Sequence, residues 1–285
     1  MTGMPLLEVE AVGKTYGMGG LLARHRTRAV NDVSFALQAG RPEIFTIIGE
    51  SGSGKSTLAR MILNMVPPTE GAIRFRGVPL TEIRWRRERL GFMSQVQPIF
   101  QNPFEAFNPL KRVDRYLFMT ARTYKPGSRA DQEARADRAL RQVGLTLAEV
   151  KGRFPHELSG GQLQRVAIAR ALICEPALIV ADEPVSMVDA SLRLSIVNLF
   201  KTLRDELKVA IIYITHDLAT AYSISDRIII MQRGRVVEAG DARAVLDAPR
   251  HEYAIRLKNA VLSPDAAGSS DALFRDLASA PTPAG

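Results

Sequence analysis

Cysteine is almost absent from these 285 residues, with Cys174 standing alone. One thiol cannot form an internal disulfide, and it supplies too few thiolates for a zinc or iron–sulfur site built from this chain. A reducing compartment, the cytosol, is the expectation that follows. Long apolar runs are missing as well. The longest, Val209 to Ile214, has the length of a buried strand, far short of the roughly 20 residues that cross a bilayer. The opening MTGMPLLEVE has no basic flank leading into an apolar core, so no secretory signal is read there. Aromatic residues make up 6% of the chain and are not interleaved with the basic ones, which leaves no stacking platform for bases. No internal repeat is found.

The residues that are present suit a globular protein. A 46% hydrophobic and 24% charged composition allows one large domain or two small ones with real cores. Lysine and arginine outnumber the acids 38 to 30, for a net charge of +8 and a pI of about 9.9. Arginines gather at Arg24, Arg26 and Arg28, and again at Arg84, Arg86, Arg87 and Arg89. Such clusters could face nucleic acid or anionic lipid; a solvated face is the simpler reading.

Along the chain, LLEVEAV (6–12) reads as a strand, 17–28 as a flexible basic insertion, and Ala29 to Leu37 as the next strand. Phe45 to Ile48 is apolar without alternation, the pattern of a parallel strand covered on both faces. A helical pattern from Lys55 to Met65 stops at Pro67 and Pro68. Residues 98–109, PIFQNPFEAFNP, are too broken by proline and asparagine for a regular element, and 129–143 read as a surface helix. The middle of the chain is therefore expected to be a helical insertion in an α/β core. Strands return at Ala177–Ala181, Val209–Ile214 and Arg227–Met231, the last followed by a hairpin signal through Arg233-Gly234 into Val236-Val237. The Ala-, Ser-, Pro- and Gly-rich tail 263–285 reads as disordered or loosely attached.

Residues 49–57 are Gly49, Glu50, Ser51, Gly52, Ser53, Gly54, Lys55, Ser56 and Thr57. They match G-x-x-x-x-G-K-[ST] with a buried strand before and a helix after, the context a phosphate-binding loop requires. Glycines at 49, 52 and 54 let backbone amides turn inward around phosphates, and the following helix adds its positive end. Lys55 is expected to reach the β- and γ-phosphates, and Ser56 to hold Mg²⁺. Further on, ALIVADE (177–183) carries Asp182 and Glu183 to the carboxyl end of a buried strand, where open α/β sheets bind ligands. Asp182 suits the metal and Glu183 suits a general base that polarises water. A surface Asp-Glu is common in α/β proteins, but phosphoryl transfer needs both roles filled, and no other pair in the chain serves as well.

Residues 158–165 read LSGGQLQR, with Ser159 suited to cap a helix and Gly160-Gly161 leaving its first amides uncovered. Leu163, Val166, Ala167 and Ala171 recur at helical spacing and would anchor that helix. Here the sequence resembles the ATP-binding cassette (ABC) family, over about residues 6–262. The resemblance implies a P-loop NTPase (RecA-like) α/β core with an antiparallel β region and a helical subdomain inserted at about 98–160. It implies ATP and Mg²⁺ as cofactors, and a head-to-tail dimer with a second ATP-binding subunit. Each ATP would lie between one subunit's loop and its partner's Ser159, Gly160, Gly161 and Gln162. Tyr16, in KTYG, is similar to the family's adenine-stacking aromatic, an ordinary strand tyrosine being the other reading. Gln101, in IFQNP, resembles the Q-loop glutamine that touches Mg²⁺ and water; Gln95 and Gln97 lie nearby without that context. Asp189, in SMVDAS, resembles the D-loop aspartate, and His216 the switch histidine at the γ-phosphate.

The stretches FQNPFEAFNP, DEPVSMVDAS and APRHEYAIRL resemble the oligopeptide/dipeptide/nickel importer group, with Glu252 where a proline is usual. That implies an ATPase at the cytoplasmic face of the inner membrane, peripheral, powering uptake of a peptide-like or oligosaccharide-like solute. Two transmembrane permease subunits would be direct partners, and an extracytoplasmic substrate-binding protein an indirect one. A soluble ABC ATPase acting on nucleic acid or ribosomes is the alternative. Such proteins generally fuse two cassettes or carry long coiled coils, which this chain does not, so no nucleic-acid partner is expected.

Overall fold

A computed structural model of the protein describes residues 4–18 and 25–262. The tail 263–285 and residues 19–24 of the basic insertion lie outside the described residues. One sheet is built from β1 (Pro5–Met18), β2 (His25–Gln38), β4 (Glu70–Phe75) and β5 (Val78–Pro79), antiparallel in the order β2-β1-β4-β5. The other holds β3 (Ile44–Ile48), β6 (Val96–Ile99), β7 (Leu178–Asp182), β8 (Ala210–Thr215), β9 (Arg227–Gln232) and β10 (Arg235–Asp241). Its order is β10-β9-β3-β8-β7-β6, parallel except for the β9–β10 hairpin. Arg233 and Gly234 turn that hairpin with φ of 48° and 81°, the pair of positive values a type I′ turn demands.

Strands β3, β7, β8 and β9 are buried on both faces, which is why their sequences run apolar without alternation. Phe45, Ile47, Val180 and Ile212 pack towards the antiparallel sheet against Leu7, Val9 and Val33. Ile44, Ile179, Ile211 and Tyr213 face a helical layer. After β3 comes α1 (Lys55–Ile62), and α2 (Arg86–Gln95) precedes β6. Between β6 and β7 lie α3 (Val113–Tyr124), α4 (Arg129–Gln142), α5 (Leu147–Val150) and α6 (Gly160–Leu172). The rest are α7 (Ala190–Asp205), α8 (Leu218–Ile224), α9 (Ala242–Asp247) and α10 (Glu252–Leu262). Helix α4 buries Ala136, Ala139 and Leu140, one stripe at helical spacing, and Ser128 caps it reciprocally with Asp131.

Three local expectations change. Helix α1 stops at Ile62 rather than Met65, because Asn64 turns left-handed at φ 54° and the amides of Met65 and Val66 fold back onto the Arg60 carbonyl. Residues 17–18 and 25–28 are not a loose insertion: Gly17 pairs with Arg26 and Met18 with His25. Gly17 and residues 26–28 are solvent-exposed, so no apolar alternation marks them as strand. Pro98 and Ile99 do form regular structure, closing β6 at the sheet edge, where a proline's missing N–H breaks no ladder. Asn102 then caps a short 3-10 turn at Pro103–Ala106.

The two sheets are stitched at one charged joint. Glu43, 7% exposed, accepts two hydrogen bonds from Arg227, at 2.7 and 2.9 Å. The same guanidinium donates to the Ala36 carbonyl of β2 at 2.7 Å and stacks over the Phe45 ring at 5.1 Å. Glu43→Ala is expected to cost about 2 kcal/mol, below the usual loss for a fully buried pair because Arg227 is partly exposed. Urea unfolding of the two proteins reads this directly; unchanged midpoints would remove the joint from the stability of the fold.

Candidate functional site

Strands β3, β6, β7 and β8 run in one direction, so the residues after them emerge at the same edge. Gly49 follows β3, Glu183 follows β7, His216 follows β8, and Gln101 comes two residues after β6. Gly49–Ser56, Glu183, His216 and Gln101 all come together around an open cavity of about 810 Å³, though Ser53 itself does not line it.

Lys55 is nearly buried, 5% exposed, and its Nζ donates to the carbonyls of Gly49 at 2.6 Å and Glu50 at 2.8 Å. Burial pushes its ammonium pKa down, and the carboxylates of Glu183, Asp182 and Glu50 pull it back up. Gly54 sits at φ 104°, and a Cβ there would collide with the Ala29 carbonyl; no other residue type fits that turn. The Ser53 carbonyl accepts the Gly234 amide at 2.9 Å, tying the loop to the β9–β10 turn.

Opposite the loop stands a hydrogen-bonded trio. Gln101 Nε2 donates to Glu183 Oε2 at 3.1 Å, and His216 Nδ1 lies 3.0 Å from Glu183 Oε1. Glu183 is in the left-handed region at φ 47°, strained for a side chain of its type. Its amide still bonds the Ile214 carbonyl at 2.9 Å, so the strand pairing holds while the chain turns the carboxylate into the cavity. Asp182 lies behind, hydrogen-bonded to Ser56; burial raises its carboxyl pKa, Glu183 adds to the rise, and Ser56 and Lys55 oppose it. Asp217, by contrast, caps α8 through the amides of Ala219 and Thr220 and serves that helix.

Tyr16 lines the cavity rim, 36% exposed, with Lys14 Nζ 5.3 Å from its ring centroid. Ser159, Gly160, Gly161, Gln162 and Asp189 do not line the cavity. Ser159 caps α6 as expected: its hydroxyl accepts the Gln162 amide at 3.2 Å, and Gln162 Oε1 accepts the Ser159 amide at 3.0 Å. A Cβ on Gly161 would meet Leu192 of α7 at 2.7 Å, so the glycine lets α6 and α7 close on each other. Ser159 and Asp189 are therefore brought near one another at the start of two packed helices, and both are exposed. Ala29 and Leu257 also line the cavity, and the Tyr253 hydroxyl accepts the Glu50 amide at 2.9 Å. Sequence reasoning gave none of these three a place in the site; the APRHEYAIRL stretch was the available signal for the last two.

The sequence profile of the ABC transporter family matches residues 30–186. This chain belongs to the ABC transporter family. It is 42% identical over 242 residues to the oligopeptide transport ATP-binding protein OppF of Salmonella typhimurium, spanning 84% of this chain and 70% of that protein. It is 39% identical over 269 residues to OppF of Haemophilus influenzae, spanning 91% and 79%. Two solved structures share the fold. One is cbiO1 of Clostridium perfringens, part of the ABC transporter complex cbiONQ, with a TM-score of 0.73 at 28% identity, over 90% of this chain and 95% of that one. The other is the ATP-binding cassette MJ0796, dimeric in a post-hydrolysis state with ADP and Pi, with a TM-score of 0.72 at 29% identity, over 83% and 99%. The expected cassette fold and kinship with the oligopeptide group are borne out.

The raised carboxyl of Asp182 sets a pH test. Its folded pKa lies above the ordinary 3.8, so the folded chain keeps a proton that the unfolded chain releases first. Stability therefore falls as pH rises through that window, and above it the buried charge is a standing cost. Nucleotide-free Asp182→Asn is expected to melt higher than the parent at pH 7, with the gap closing as the pH drops toward 3.8. A parent that melts higher at pH 7 would contradict the assignment.

Proposed function

We propose that this chain is the ATP-hydrolysing subunit of an ABC importer, with residues 1–262 as its ATP-binding domain. The observation that carries the reading is the Gln101–Glu183–His216 trio facing the Lys55 loop across one cavity. The loop amides of 49–57, with the α1 terminus and Lys55, cradle the phosphates, and Tyr16 stacks on the base. Glu183 polarises the attacking water, held in place by Gln101 on one oxygen and His216 on the other. His216 also faces the γ-phosphate. Positioning and fixed charge supply most of the rate.

The oxygens of Ser56 and Asp182, already in contact, are hard donors that suit Mg²⁺, with Gln101 as a further ligand. Two such side chains leave coordination positions that the phosphates of a bound triphosphate would share. When bound, Mg²⁺ neutralises charge on the triphosphate.

An exposed α6 terminus beside Asp189, off the chain's own cavity, supports a second ATP-binding subunit arranged head to tail. Ser159, Gly160, Gly161 and Gln162 of one copy then close on the phosphates held by its partner. No helix of the described residues is long and apolar enough to cross a membrane. On this reading the chain docks on two transmembrane permease subunits at the cytoplasmic face, in keeping with the transport ATP-binding proteins it resembles. The helical subdomain at about 98–160 takes that contact, and an extracytoplasmic binding protein delivers the solute. The names of its relatives, oligopeptide transport and peptide import ATP-binding proteins, support a peptide-like cargo.

Glu183→Gln is expected to keep ATP binding while turnover falls by about 10²- to 10⁴-fold, and light scattering should show it dimerising with ATP. Undiminished hydrolysis would take the base role from Glu183. Replacing Lys55 by Ala should weaken ATP binding roughly 10- to 100-fold in a nucleotide titration.

A further inference from the structure

One hydrogen bond of the loop has no part in the chemistry above. The hydroxyl of Tyr253, a residue 3% exposed, accepts the Glu50 amide at 2.9 Å. The carbonyl of the same peptide unit is that of Gly49, which accepts Lys55 Nζ at 2.6 Å. In a trans peptide the C=O and N–H point opposite ways. A single planar group is thus gripped at both ends, by the lysine ammonium on one side and the phenol on the other, and each bond polarises the other. Gly49 precedes this peptide and offers no side chain to resist its rotation, so the two hydrogen bonds fix its orientation.

Tyr253 is itself held by a chain of contacts. Its amide donates to His251 Nδ1 at 3.1 Å, and the Arg250 and His251 amides donate to the two Glu238 oxygens at 2.9 and 3.1 Å. Glu238 belongs to β10, whose turn already holds the loop through Gly234 and Ser53. Tyr253 and Ala254 pack in one cluster with Ile48, the residue just before Gly49. Leu257, one turn further along α10, lines the nucleotide cavity. Burial raises the phenol pKa against the Glu50 hydrogen bond, so the hydroxyl stays neutral at pH 7.

We propose that Tyr253 is a positioning residue that fixes the Gly49–Glu50 peptide, so that docking of α10 and occupancy of the phosphate loop favour each other. This rests on the loop being a nucleotide site. Because linkage is reciprocal, nucleotide steadies α10 by the same free energy that docked α10 contributes to nucleotide binding.

The test is Tyr253→Phe in the full chain, which keeps the ring and removes only the oxygen. Expected is a rise in the KM for ATP of roughly fivefold to tenfold, the factor one net hydrogen bond represents, with kcat and melting temperature nearly unchanged. Amide exchange in α10 should slow when ATP is added to the parent, and this slowing should shrink in the variant. An unchanged KM, or a fall in kcat and melting temperature together, would overturn the assignment and leave Tyr253 a packing residue. A parent chain that binds no ATP at all would instead overturn the nucleotide reading, a result seen before any variant is made.

Discussion

Phosphate loop, carboxylates, histidine and glutamine can meet only because β3, β6, β7 and β8 point the same way. A parallel sheet collects all its carboxyl ends at one edge, and the residues that follow have no choice but to share that space. Reversing any one of these strands would send its functional residue to the opposite edge. Burial of both sheet faces is what makes the arrangement stable, through the Leu7–Phe45–Ile212 side and the Ile179–Tyr213–Phe200 side.

That edge is energetically expensive. Lys55 and Asp182 are both desolvated enough to shift against their charged forms, and Glu183 holds a left-handed backbone. Charges of opposite sign set close together recover part of this: Asp182 pulls the Lys55 pKa back up, and Lys55 pulls that of Asp182 back down. A site held away from its own comfort is poised to gain from a ligand that brings the missing countercharges.

The α6 terminus shows the complementary case. Ser159 satisfies one amide of α6 itself, Gly161 lets α7 approach, and neither the α6 terminus nor Asp189 lines the chain's own cavity. On the proposed reading a single chain carries two partial phosphate surfaces, and closing one over the other is a matter of assembly. The C-terminal helix, through Tyr253 and Leu257, is the other element that reaches the cavity from outside the parallel strands.

Short-range chemistry was legible in the sequence by itself. The loop at 49–57, the carboxylates ending an apolar strand and the Ser159 cap are each written in contiguous residues, where spacing and residue type carry the physics. So were the parallel strands β3, β7, β8 and β9, because burial on two faces erases alternation. What tertiary structure alone decided was which distant pieces meet. The Gln101–Glu183–His216 contacts and the reach of Tyr253 to Glu50 join residues 33 to 203 positions apart. The ladder joining 17–18 to 25–28 and the edge strand at Pro98 escaped for a related reason. Neither buries a patterned face, and backbone hydrogen bonds, unlike apolar side chains, leave no mark on the residues that make them.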